Sequence, residues 1–176
     1  MDLKKTWDDC AAFHGHVCPG LTIGYKAALY AAELLELAFS DDEQLACVAE
    51  NDACGVDAIQ VMLGCSVGKG NLLFRLRGKQ AFSFYNRTTG KSVRLMLKPK
   101  PREMDKAESF AYYQQLPPSE MFDVKPVPGP LPERARLFGS FPCDSCGELT
   151  AEPMLTLQGG KRLCLDCYPK YDRFNL

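Results

Sequence analysis

The segment Phe13 to Gly20, FHGHVCPG, holds both histidines of this 176-residue chain and, two positions further on, a cysteine. Imidazole and thiolate together suit soft or borderline divalent metals, and a thiolate is also a nucleophile. Histidines two residues apart in an extended loop project to the same side. Pro19 fits the first turn of a helix, where its missing N–H costs nothing. Cys18 then sits at the N-terminal edge of that helix, where the macrodipole favours negative charge on sulfur. The loop therefore reads as a metal or thiolate site, with His14, His16 and Cys18 as candidate ligands and Cys18 or His16 as candidate reacting groups. A solvated loop beside a packed cysteine is the plain alternative.

Two further cysteines bear on this site. Cys54 lies in NDACGVDA, beside a glycine where a strand turns into a helix, and Cys65 lies in LGCSVGKGN, where that helix ends. A helix between them keeps the two thiols apart, so both reach one ion only if the segment bends. The GKGN fragment lacks the spacing of a phosphate-binding loop, although Lys69 and Asn71 are placed to orient an anionic or amide group. Cys10 and Cys47 fit buried faces.

A second constellation is clearer. Cys143, Cys146, Cys164 and Cys167 form C-x2-C-x17-C-x2-C, a spacing expected of a four-cysteine zinc site. Each C-x2-C puts two thiolates on one knuckle, and two knuckles complete a tetrahedron. With all four positions filled by protein, that zinc is structural.

The elements that must position these residues follow from periodicity. Residues 4–13 predict a short helix with Trp7, Cys10 or Ala11, and Phe13 inward. A strong helix is expected from Pro19 to about Phe39, its stripe formed by Leu21, Tyr25, Ala28, Ala32, Leu35 and Phe39. LACVAE predicts a strand, and NDACGVDAIQVMLGC a turn and short helix capped by Asn51 or Asp52. LLFRLR, AFSFYNR and SVRLMLK read as three strands. Residues 102–116 predict another helix, with Met104, Ala107, Phe110 or Ala111, and Tyr112 inward. Six of the twelve prolines fall between Leu116 and Pro132, which marks an extended linker. In the cysteine module, MLTLQGGKRLC predicts a hairpin turning at Gly159-Gly160, followed by a helix over 165–173. The expected organisation is an α+β domain over residues 1–122, a linker over 123–135 and a zinc-ribbon module over 136–176.

Composition excludes some functions. The formal net charge is −1, so the chain has no general attraction for nucleic acid or anionic lipid. Within 136–176 five basic residues balance five acidic ones, whereas DNA binding by counterion release favours a basic face. Nucleic acid is therefore not an expected partner. The most apolar stretch, residues 19–39, is interrupted by Lys26, Glu33 and Glu36, charges that hydrocarbon disfavours. No signal peptide is apparent. The cytoplasm is the expected compartment, and nine cysteines there read as ligands, nucleophiles or core residues rather than disulfides.

FHGHVCPGLTIGY, ENDACGVDAIQVMLGCSVGKGNL, GKQAFSFYNR and the four-cysteine ending, in that order, resemble the FmdE family, named for a component of formylmethanofuran dehydrogenase. The resemblance implies an α+β core of the kind called glyceraldehyde-dehydrogenase-domain-like, a helix–strand–helix followed by three strands in a mixed sheet, plus a small zinc ribbon. It also implies a metal site in the core, with zinc as the expected ion, and a homodimer. Carried onto this sequence, the pocket positions are His14, His16, Cys18, Cys54 and Cys65, with Asp57, Lys69 and Asn71 beside them. The family name refers to a molybdenum or tungsten enzyme that fixes carbon dioxide onto methanofuran. Nothing here resembles a molybdopterin domain or an iron–sulfur run, so the chain alone is not expected to perform that redox reaction.

Three functions follow as expectations. The first is one component of an oxidoreductase-type enzyme, working with partner subunits, whose metal–thiolate site acts on a small molecule in one-carbon or related redox metabolism; there Lys69 would stabilise charge. The second is a metal-delivery or partner-binding module without turnover. The third, a zinc-ribbon protein contacting nucleic acid, is disfavoured by the charge balance.

Overall fold

Thr6 starts the first helix. Its hydroxyl accepts the Asp9 N–H while the Asp9 carboxylate accepts the Thr6 N–H at 2.8 Å, a reciprocal cap. A computed structural model of the chain describes residues 3–171 and 173, and in it this helix, α1, spans Trp7–His14. Gly15 ends it in the left-handed region, at φ +84°. The next helix, α2, runs Pro19–Leu35 and stops at Glu36, itself left-handed, before reaching Phe39. Leu21, Ala28, Ala32 and Leu35 of its expected stripe are buried and Tyr25 is half-buried. Phe13 does not turn inward; it is 59% exposed, at the rim of a groove lined by Phe39, Gln60 and Val61.

The strands are β1 (Leu45–Ala49), β2 (Leu72–Phe74), β3 (Ala81–Asn86), β4 (Ser92–Leu97) and β5 (Phe122–Lys125). They form one mixed sheet in the order β2-β1-β3-β4-β5, with β1 and β2 parallel and the other pairs antiparallel. Helix α3 (Gly55–Leu63) makes the crossover between the parallel pair, as a parallel connection requires. The first helices, the first strand, the crossover helix and the next three strands are thus in the order the sequence implies. Strand β5 is an addition. It lies inside the proline-rich stretch, after the short α5 (Pro118–Met121), and pairs with β4 through Phe122, Asp123, Val124 and Lys125.

One face of the sheet carries Cys47, Ala49, Phe82, Phe84, Val93 and Leu95 into a core shared with α2 and α3. Burial of the phenylalanine, valine and leucine side chains stabilises the fold by about 1.5–3 kcal/mol each. The α2–α3 crossing is unusually close: a methyl group at Gly24 would overlap the backbone of Gly55. That proximity sets where the N-terminal ends of both helices lie. Helix α4 (Lys106–Gln115) is shorter than expected because Asp105 and Glu108 form its cap. It buries Ser109 and Tyr113, while Ala107 and Ala111 are exposed. Lys26, deep in α2, donates to the Gln114 and Leu116 carbonyls at the end of α4, which answers the open carbonyls there.

β3 is buried on both faces. Its second face is crossed by the chain after β5: Tyr85 Oη donates to the Gly129 carbonyl, and Arg87 donates to those of Pro132 and Glu133. Glu43 accepts the Ala135 N–H. Residues up to Ala135 form one compact unit and those from Arg136 a second.

The second unit holds two hairpins, β6 (Ser140–Pro142) with β7 (Leu149–Ala151), and β8 (Leu155–Gln158) with β9 (Lys161–Cys164). The β8–β9 turn falls at Gly159 and Gly160, both left-handed, as the sequence implies. The helix expected over 165–173 is not formed among the described residues: a turn follows Cys164, and Pro169 interrupts it. No helix of the described residues is long and apolar enough to cross a membrane.

Candidate metal centre

His14 is the last residue of α1, and the left-handed Gly15 reverses the chain so that His16 returns over it. The two imidazole rings lie 4.4 Å apart. Cys18 caps α2, its sulfur accepting the Leu21 N–H at 3.3 Å, an arrangement that suits a sulfur ligand carrying negative charge. The sulfur stands 3.9 Å from His14 Nε2. One donor atom from each of His14, His16 and Cys18 lies within 4.8 Å of the others. Cys18 is buried, His14 half-buried and His16 exposed.

Asp57 has no task that the sequence alone assigns, and the geometry supplies one. Its Oδ2 is 2.7 Å from His14 Nδ1, and its Oδ1 accepts from Gln60 Nε2. With the Nδ1 proton donated to Asp57, Nε2 keeps its lone pair directed toward Cys18. A carboxylate behind a ligating histidine fixes its tautomer and orientation. Asp57 lies in the first turn of α3, and the packing of α3 against α1 and α2 brings it to the loop. The donor set fits a transition metal of the zinc type: two imidazoles and a thiolate, one imidazole braced from behind.

Cys54, at the N-terminal edge of α3, adjoins Cys18. Burial, and then the hydrogen bond and charge of Cys18, raise its thiol pKa. Its sulfur lies outside the close set of three, and the residue lines a cleft of about 360 Å³ together with His14 and Asp57. Val67, Leu72 and Phe74 give this cleft an apolar side, and Asp52 and Gln60 a polar one.

The other sequence candidates are elsewhere. Cys65 is fully buried past the far end of α3, and burial pushes its thiol up to about 12. Lys69 Nζ donates to the Ser40 and Asp41 carbonyls, so it fastens the loop before β1 rather than facing the histidines. Asn71 is sealed in the core, donating to the Asp42, Leu45 and Gly64 carbonyls and accepting from the Ser66 N–H. Asn51, expected as a cap of α3, instead accepts the Ala53 N–H in the preceding turn.

In the second unit, Cys143, Cys146, Cys164 and Cys167 bring their four sulfurs within 4.8 Å of one another. The backbone N–H groups of Cys146, Cys164 and Ser145 lower the Cys143 thiol to about 6. That polarisation prepares a thiolate knuckle for a cation. The surrounding core consists of Cys143, Leu163 and Cys164, with Leu155, Cys167 and Tyr168 packed against them.

Two family models match the chain, one over each unit. Residues 13–123 match the family described as FmdE, molybdenum formylmethanofuran dehydrogenase operon. Residues 136–173 match the prokaryotic dksA/traR C4-type zinc finger, which implies a structural zinc on the four cysteines. A protein of Archaeoglobus fulgidus described as a "Probable S-adenosyl-L-methionine-binding protein" is 26% identical over 191 aligned positions, covering 90% of this chain and 51% of the relative. The chain thus spans about half the length of that relative. Among solved structures, an FmdE-like protein of the tungsten formylmethanofuran dehydrogenase type from Syntrophus aciditrophicus superposes with a TM-score of 0.70 at 24% identity. That superposition covers 94% of this chain and 91% of the other, a likeness of fold.

Proposed function

This chain belongs to the FmdE family, and from its histidine loop we propose that it is a metal-dependent enzyme component acting on a small molecule in one-carbon or related redox metabolism. One observation carries the reading: three donor atoms of soft and borderline type converge beside a cleft, and among the described residues no fourth donor atom lies within 4.8 Å of all three. Catalytic zinc sites keep three protein ligands and one open position. His14, His16 and Cys18 would hold the ion, which when bound would supply a Lewis acid at that open position. Asp57 holds the His14 proton at Nδ1 and keeps the ring aimed. Cys54, neutral beside Cys18, stands where a ligand in the cleft would meet it. Leu72 and Phe74 limit water on one side of the cleft.

The cleft also supports a ligand class. Its ionisable lining apart from His14 and Cys54 is Asp52 and Asp57, with no lysine or arginine. A neutral or cationic ligand with an apolar part fits such a wall better than an anion does. The S-adenosyl-L-methionine named for the Archaeoglobus relative, a sulfonium, is the natural first probe.

Cobalt substitution tests the open position. Added imidazole should shift the visible spectrum of cobalt in the core site and leave that of the four-thiolate site unchanged. A core spectrum indifferent to imidazole would mean a closed site and end the proposal. The exposure of His16 favours a second reading, metal delivery to a partner. It predicts ion exchange from the core site within the time of mixing with an acceptor chelator.

A further inference from the structure

The sheet face opposite the helices carries a second cleft, of about 330 Å³, independent of the histidine loop. Its charged lining is Arg75, Lys79, Arg94, Lys125 and Glu50, and its wall is Pro126 and Pro128. The four cations come from separate segments: the chain after β2, the turn before β3, and the paired strands β4 and β5, where Arg94 and Lys125 are register neighbours. Four cations against one lining carboxylate is a steep local imbalance in a chain whose formal net charge is −1.

Glu50 does not cancel that imbalance; it organises it. Its buried carboxylate accepts from Arg94 Nε at 2.6 Å and Nη2 at 3.0 Å. The guanidinium is therefore fixed by one edge, with Nη2 also 3.8 Å from the Met96 sulfur, and among the described residues its Nη1 makes no hydrogen bond within the protein. Lys79 and Arg75 lie near enough to Glu50 to add their charges to that of Arg94. Asp123 stands 3.8 Å from the Lys125 ammonium, but both are about half exposed, so that pair is weak. Pro126 and Pro128 contribute no N–H, which leaves recognition to the side chains.

We infer that the cleft formed by Arg75, Lys79, Arg94 and Lys125 over the buried Glu50 binds the phosphate of a mono- or diphosphate ligand. A guanidinium held by one edge presents its remaining N–H groups in a fork that matches phosphate oxygens. Three flanking cations suit a group carrying two or more negative charges better than a single carboxylate. The volume leaves room for a diphosphate and part of an organic substituent. The acidic cleft beside His14 takes the opposite charge, so the two sites do not compete.

Calorimetric titration of the full zinc-loaded chain with inorganic pyrophosphate at low salt tests the site. One saturable event is expected, weakened by added salt as the Debye length shortens. Arg75→Gln and Lys79→Gln, both at the surface, should each weaken it about tenfold, the loss of one charge-assisted contact. Lys106→Gln, away from the cleft, should leave it unchanged. His16→Ala should also leave it unchanged, whatever becomes of the proposed metal centre. No saturable binding up to about 5 mM, or undiminished wild-type affinity in Arg75→Gln and Lys79→Gln, would overturn the assignment. So would loss of binding in His16→Ala, which would put the anion on the core metal. Adenosine diphosphate distinguishes the source: tighter binding than pyrophosphate identifies a nucleotide, equal binding the phosphate alone, and either result upholds the site.

Discussion

Removing the carboxylate behind His14 should weaken the core metal centre and nothing else. Asp57 accepts from His14 Nδ1 at 2.7 Å, with side-chain exposures of 34% for Asp57 and 11% for His14. The contact is short and partly shielded, so it orients the imidazole and fixes its tautomer. Loss of such a brace lowers metal affinity by about 10- to 100-fold, equivalent to about 1.4–2.7 kcal/mol. Asp57→Asn keeps an oxygen that can accept from Nδ1–H but loses the charge, and belongs near the lower value. Asp57→Ala loses both and belongs near the upper. The assay is competition with a chromophoric chelator, in which the four-cysteine site serves as an internal reference. Trp7, the single tryptophan, packs 5.4 Å from Tyr25 in the first unit, so its emission checks that this unit stays folded. Wild-type core affinity in Asp57→Ala would refute the reasoning. Equal weakening of both metal sites would refute it too, since nothing about Asp57 concerns the cysteine module.

Four further outcomes are expected. Glu50→Gln breaks a buried, doubly hydrogen-bonded pair with Arg94 and should cost about 3–5 kcal/mol, measured by denaturant unfolding followed through Trp7. The hydrogen bond to Arg94 lowers the Glu50 pKa in the folded state, so its stabilising effect is full above the unfolded value of about 4.3 and is lost as pH falls through the folded value. The gap between wild type and Glu50→Gln should therefore narrow below about pH 4, and a gap that widens there would contradict the pairing. Gly24→Ala drives a methyl group into the Gly55 backbone and should destabilise by about 1–3 kcal/mol or more. It should also loosen the core metal site, since the same crossing sets Cys18 against Asp57. Chelation at the four cysteines should unfold the second unit, whose described core is three residues, while Trp7 emission stays unchanged.

Much of this architecture was legible because it is local. The Pro19 start and apolar stripe of α2, the Gly159-Gly160 turn and the His14–Cys18 spacing are each written within a few positions. What escaped is long-range. Strand β5 lies among prolines whose density reads as linker, yet Phe122 to Lys125 precede Pro126 and are free to pair. The task of Asp57 depends on two glycines, Gly24 and Gly55, letting helix backbones approach. Cys65 and Lys69 adjoin the glycine loop in sequence but turn to the core and to loop carbonyls in space. Phe13 followed helical spacing but sits one residue from the helix end, where α1 has little left to pack against.

Metal content per chain tests the central claim most directly. Two ions per chain are expected in the wild type, one in His16→Ala or Cys18→Ala, and one in Cys143→Ser, with the histidine-loop and four-cysteine substitutions removing different ions. A single ion in the wild type that persists in His16→Ala and disappears in Cys143→Ser would contradict the claim. The histidine loop would then hold no resident metal.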